Sequence, residues 1–394
     1  VSTSVVPTRE QLLQRVSEIA PVLRANAAWS VENRRLHEET VAALTAAGVF
    51  RMRTPLHYGG YESDAQTMVE VVTELARADG SAAWVVSSSL ITAWALGLFP
   101  DEVQDAVFAD PDVRLCATIG PGNATAVPAP GGIVVNGSWP FVSGAPNSQW
   151  QQIAAIFLDP EGQPYPVMAP VPVAELEITD DWHTTGLRGT GSVTTTAKDL
   201  FIPQERVLPV PLVLGGQSVS KRHADTPMYR APFITVGAAT TVGVCVGMAK
   251  AVQDEFFERL PGRKITYTEY ADQSQAPVTH LRVAEAVMKI DEAQFHAQRL
   301  AGLVDAKCAS GETWEMTERG RSRADEGAAT RLTLEAAEIL AAASGGGSAY
   351  TKVPIQRIVN DLQTFGLHAM MSPDVNAETY GRILCGLEPN TYYI

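Results

Sequence analysis

Apolar residues return at helical spacing from the start of the chain. Leu12, Leu13, Val16, Ile19 and Ala20 follow Thr8 and predict a helix capped by that threonine. A second helix is predicted from about residue 31 to 47, stopping at Gly48. Tyr58, Gly59, Gly60 and Tyr61 read as a turn, residues 65–77 as an amphipathic helix broken at Asp79, and Pro100 as the opening of a short helix. Residues 81–99 and 231–249 are uncharged and approach bilayer-spanning length. Their small polar residues (Ser87, Ser88, Ser89 and Thr92; Thr240 and Thr241 among Gly237, Gly243 and Gly247) suit helices buried in protein, and no membrane span is expected.

Near residue 112 the period shortens to two and prolines crowd in. Residues 132–136, 153–158 and 192–197 read as strands, with turns at Pro160 to Gly162 and at Pro203. A small barrel or sandwich is expected here. Residues 208–226 read as a long loop, and helical spacing resumes over 229–259, 278–309, 313–343, 354–369 and 376–384. The order predicts a helical domain over 1–111, a β domain over 112–212 and a helix bundle over 213–394.

One stretch departs from both periods. Gly137-Ser138-Trp139-Pro140-Phe141-Val142-Ser143-Gly144 follows a strand, yet Pro140 lacks a ladder donor and Gly144 tolerates unusual angles. In extended chain Trp139, Phe141 and Ser143 share one face. That face suits a flat, mostly apolar ligand with one polar edge, or a sheet edge packing aromatics into a core.

Composition removes several classes. Thirty basic against forty-four acidic residues give a net charge of −14, which argues against nucleic acid or an anionic membrane as partner. Cys116, Cys245, Cys308 and Cys385 form no CxxC pair, so neither a metal knuckle nor a disulfide framework is expected, and a reducing cytoplasm fits. The opening residues Val1 to Pro7 show no signal-peptide pattern. His183, His223 and His280 lack metal-ligand spacing.

Helical domain, β module and helix bundle together resemble the acyl-CoA dehydrogenase fold. Gly186 to Ser192 followed by Leu200-Phe201-Ile202-Pro203 resembles that family's β-domain signature, and Arg357 with Asp361 its final Arg-Asp helix. Arg263 resembles an arginine that reaches a flavin pyrophosphate across a subunit interface, and Ser344-Gly345-Gly346-Gly347 a glycine-rich flavin contact. The resemblance breaks at one point. Where those dehydrogenases place the glutamate that removes the substrate's α-proton, counting from Asp361 reaches Ala369, beside His368. Alanine accepts no proton.

With Trp139, Phe141, Ser143 and Gly144, that histidine is similar to the two-component flavin-dependent monooxygenases built on the same fold. The resemblance implies reduced FAD or FMN, with FAD favoured, delivered by a separate NAD(P)H-flavin reductase. O2 is the co-substrate, and a C4a-hydroperoxyflavin hydroxylates an electron-rich aromatic in a homotetrameric enzyme. It implies catalytic roles for Ser143 and His368 and cofactor contacts at Thr118, Phe141, Ser143, Trp182, Arg263, Gly345 and Gly346. The substrate pocket falls on Trp84, Thr92, Leu96, His368 and Met371. Many phenol-acting members carry a further histidine where about Thr92 stands here, which turns the expected substrate towards an indole-like fused aromatic. N-oxygenation of an amino sugar and acyl-CoA dehydrogenation are the alternatives.

Overall fold

Thr8 does cap the first helix. Its hydroxyl accepts from the Gln11 amide while the Gln11 side chain accepts from the Thr8 amide, a reciprocal capping box. The computed structural model describes residues 6–159 and 161–394; Val1 to Val5 of the N-terminal reading, and Pro160 of an expected turn, lie outside the described residues. α1 runs Arg9–Asn33 and α2 Glu38–Ala47, so the helix expected from residue 31 starts later. Arg34 takes a left-handed conformation between them, and the His37 ring caps α2. α2 stops at Gly48 as expected. α3 (Ala65–Ala78), α4 (Gly80–Leu96) and α5 (Asp101–Val107) complete the N-terminal helices. The buried Asp79 carboxylate caps α4 through the Ser81 and Ala82 amides.

Eight strands follow: β1 (Leu115–Ala117), β2 (Thr125–Ala129), β3 (Gly132–Val142), β4 (Trp150–Leu158), β5 (Pro164–Pro172), β6 (Glu177–Thr179), β7 (Val193–Pro203) and β8 (Leu208–Pro209). They form one sheet in the order β6-β7-β3-β2-β4-β5-β8, with β1 parallel to β4. Inward residues of β3, β4, β5 and β7 share a single core, and Gln151 on β4 bonds Thr195 on β7, so the sheet curls over itself.

The strand expected to end at Asn136 continues to Val142. Between Trp139 and Val142 it carries one residue more than β7 opposite, a bulge at Pro140 and Phe141. The proline's missing donor falls where the ladder is already broken, and Phe141 adopts φ 64°. The strict alternation of Trp139, Phe141 and Ser143 therefore fails. Trp139 is buried with its indole donating to the Ala154 carbonyl, whereas Phe141 is 67% exposed.

The expected loop over 208–226 contains β8 and α6 (Val210–Leu214). The bundle comprises α7 (Phe233–Arg259), α8 (Pro277–Ser310), α9 (Met316–Ala343), α10 (Pro354–Gly366) and α11 (Pro373–Leu384). α7 is long and apolar enough to cross a membrane, but 89% of its apolar window is buried inside the protein. Its small residues serve contact within the chain: Gly243 and Gly247 lie against the α3 backbone at Val69 and Thr73. α10 stops at Gly366, so His368 and Ala369 stand in the following turn and not on the helix. Asp361 on α10 accepts from the Leu187 amide at 2.6 Å and so pins the bundle to the β module.

Candidate active site

A cavity of about 430 Å³ lies where α4, β1, β3, α7, α9 and the turn after α10 meet. α4 contributes Trp84, Ser88, Ile91, Thr92 and Ala95, one face of a helix. Leu96 lies just past the edge of that stripe, turned about 100° from its neighbour Ala95; it is buried in the helical core and is not among the lining residues. Thr118, Phe141, Ser143, His368 and Met371 all line the cavity. Trp182 stands behind it, edge-on to Phe141 at 6.0 Å, with its indole on the Leu187 carbonyl. Exposed Gly120, Phe141, His368 and Ala369 form the rim; buried Thr92, Thr241, Glu326 and Met371 lie deeper.

Ser143 ends a chain of hydroxyls. The Trp84 indole donates to its Oγ at 2.8 Å, Ser143 lies 2.7 Å from Ser192, Ser192 2.6 Å from Thr190, and Thr190 2.7 Å from the Leu187 carbonyl. A carbonyl only accepts, so Thr190 donates to it; Ser192 then donates to Thr190, and Ser143 to Ser192. Ser143 keeps one unused lone pair. It meets a cavity ligand as an acceptor.

His368 lies across Trp84, ring centroids 5.3 Å apart. Its Nδ1 accepts from the Met370 amide at 3.2 Å, which leaves the proton of a neutral ring on Nε2. The ring's surface opens on the cavity, yet its neighbours are apolar, and this desolvation pulls its pKa down to about 4. At neutral pH it is an uncharged donor.

The residues present suit a flavin. Phe141 offers a flat apolar surface at the rim. On the β wall the Thr118 hydroxyl and the Gln152 side-chain oxygen are buried without a hydrogen-bond partner among the described residues. Orphaned polar atoms on an otherwise apolar wall fit the polar edge of an isoalloxazine.

Arg263, Gly345 and Gly346 lie outside this cavity, in a cluster of their own. The Arg263 guanidinium sits so close to Gly345 that a β-carbon there would come within 2.5 Å of Nη2. Arg259 joins them beside Gly347, with one nitrogen buried and unpartnered. Neither arginine pairs with a carboxylate among the described residues. Burial, then the neighbouring Arg259 charge, lower the Arg263 pKa.

Comparison with known proteins agrees with this geometry. Residues 8–110 match the acyl-CoA dehydrogenase N-terminal domain and residues 239–373 the acyl-CoA dehydrogenase C-terminal domain. The chain is 31% identical to the oxygenase component of an FADH2-dependent resorcinol hydroxylase from Rhizobium sp., over 97% of this chain and 96% of that protein. It is 30% identical to the oxygenase subunit HsaA of a flavin-dependent monooxygenase from Rhodococcus jostii, covering 94% and 97%. The chain belongs to the flavin-dependent two-component monooxygenases, as an oxygenase component. Among solved structures of the family, XiaF from Streptomyces sp., in complex with FADH2 and glycerol, superposes with a TM-score of 0.93 at 30% identity, covering 98% of each chain. In this family member sequence reasoning overlooked Glu326, Thr241 and Gln152. Glu326 sits in the charged run Arg323-Ala324-Asp325-Glu326, which reads as a solvated face. Its phase with Ala329, Thr330, Thr333, Ala336, Ala337 and Leu340, all buried, was the available signal.

Proposed function

We propose that this oxygenase component uses reduced flavin, supplied by a separate NAD(P)H-dependent flavin reductase, and O2 to hydroxylate an electron-rich aromatic of the indole or phenol kind. The observation that carries this reading is the polarised hydroxyl chain ending at Ser143 in an apolar cavity whose rim has Ala369 and a neutral His368. When bound, reduced flavin supplies the two electrons for splitting O2, one oxygen atom going to the substrate and the other to water. The chain's own residues do the rest. Ser143 accepts a hydrogen bond from the flavin N–H, His368 Nε2 donates to a polar edge of the bound ligands, and Trp84, Ile91, Phe233 and Met371 keep water out. The apolar walls favour an aromatic over a sugar, whose hydroxyls would find few partners.

The test is direct. Mixed anaerobically with photoreduced FAD and then aerated with indole or a phenol, the protein should yield hydroxylated product only while reduced flavin is present. Bleaching of bound oxidised flavin by an acyl-CoA thioester, with no oxygenated product, would instead select the dehydrogenase reading.

The Arg259–Arg263 cluster lies away from its own chain's cavity, which supports a role for it towards the flavin of a neighbouring subunit. Two cations without carboxylate partners among the described residues, beside a glycine turn, suit a pyrophosphate, which FAD has and FMN lacks. Arg263→Ala should weaken reduced-FAD binding on the order of 10–100-fold and leave FMN nearly unchanged, as read by anaerobic titration. Assembly, as a tetramer in this reading, is supported by an exposed apolar stripe on α8. Leu281, Met288 and Phe295 recur there every seven residues. Four free cysteines, three of them buried, suit a reducing cytoplasm.

A further inference from the structure

The deep end of the cavity holds a group the oxygenation chemistry described above leaves unused. Its walls are apolar: Ile91, Ala95, Phe233, Ile234 and Ala238. Set among them is Glu326 on α9, only 1% exposed, and the cavity's one carboxylate among the described residues. Its Oε1 accepts from the Thr241 hydroxyl on α7 at 2.6 Å. Oε2 makes no hydrogen bond among the described residues and is not fully enclosed, which leaves it open to the cavity.

A carboxyl at this depth is destabilising unless it is used, because burial removes its water and only part of the loss is made good by Thr241. Arg323, one turn earlier on α9, is near enough to favour the ionised form, but its hydrogen bonds go to the Asn376 side chain and the Tyr393 carbonyl. Burial raises the Glu326 pKa to about 7, with Thr241 and Arg323 acting against a further rise. The Cys245 thiol on α7 lies near it, and the other titratable groups lining the cavity among the described residues are Tyr393 and His368. The last is neutral and already assigned to the rim.

We propose that Glu326 is the specificity-determining acceptor of this cavity: its free oxygen takes a hydrogen bond from the N–H or O–H of an aromatic substrate. This rests on the aromatic-hydroxylase reading and narrows it to substrates with a ring-attached donor. Thr241 positions the carboxyl. Its hydroxyl lies 2.9 Å from the Gly237 carbonyl as well as 2.6 Å from Glu326, so it can turn to either and leave neither carboxyl state without a partner. Such an acceptor, bonded to a ring substituent, also raises the ring's electron density, which attack on an electrophilic oxygen requires. An aromatic lacking the donor would leave a buried carboxyl oxygen unpaired, the situation that makes buried polar sites discriminating.

Indole and indene test this, since they differ by an N–H in place of a CH2. Equilibrium dialysis without flavin should show the wild-type protein preferring indole at least about tenfold. Glu326→Leu should bring the ratio of the two affinities to about one; the isosteric Glu326→Gln, which keeps packing if the leucine does not fold, should lower it. A wild-type protein without preference, or a folded variant with the wild-type ratio, overturns the proposal. Because flavin is absent, this result is independent of the aeration assay. A protein that discriminates yet never oxygenates would sink the function and not the recognition.

Discussion

With flavin placed beside Ser143 as proposed, Ser143→Ala is expected to lower the ratio of reduced-flavin to oxidised-flavin affinity. The direction of each proton from Ser143 through Ser192 and Thr190 to the Leu187 carbonyl is set at the far end, where a carbonyl can only accept. Ser143 therefore offers a lone pair and no proton. Reduced flavin carries an N–H at the ring nitrogen that is bare in the oxidised form, so the serine rewards one redox state and opposes the other. Alanine removes that distinction and strands the Trp84 indole N–H, whose partner at 2.8 Å is lost. The affinity ratio, measured by anaerobic titration with reduced FAD and aerobic titration with oxidised FAD, should fall about 10- to 100-fold. In turnover the same variant should release several times more hydrogen peroxide per flavin consumed. An unchanged ratio would mean that the flavin does not meet Ser143.

The largest loss of stability is expected from Gly247→Ala. A β-carbon at that point of α7 would lie 2.1 Å from the Thr73 carbonyl oxygen and 2.6 Å from Ala76 Cβ on α3. Backbone cannot swing aside as a side chain can, so α3 and α7 must separate along a shared face that is buried throughout. Overpacking of this kind destabilises by about 1–3 kcal/mol or more, against roughly 1 kcal/mol regained from alanine's helix propensity. A fall of several degrees in Tm, or failure to fold, should follow. Gly237 on the same helix is the control: beyond its own helix backbone, an added β-carbon there meets no atom of the described residues within 4 Å, and Gly237→Ala should leave Tm unchanged or raised. Equal behaviour of the two variants would refute the close α3–α7 contact.

Both variants touch groups whose neighbours come from distant parts of the chain, and the same divide separates what was readable in advance from what was not. Thr8, Gly48, Asp79 and Gly144 declared their caps and turns because a cap is satisfied within a few residues of itself. Helical stripes and the αβα order follow from periods of 3.6 and 2, which are equally local. The absent carboxylate at Ala369, and its neighbour His368, were visible through resemblance. Other features depended on partners far along the chain. The bulge that frees Phe141 from its strand's alternation is defined against β7, over fifty residues later. Arg263 meets Gly345 only because α7 and α9 end side by side. Glu326 was singled out by nothing in the charged run around it; helix packing turned it inward among apolar side chains. Its raised pKa is a property of that burial and of nothing in its sequence neighbours. The chain's own order of residues determined the elements and the kind of cofactor pocket they would build. Which polar atoms were left facing the ligand was decided by packing, because desolvation and proton direction exist only once distant groups are in contact.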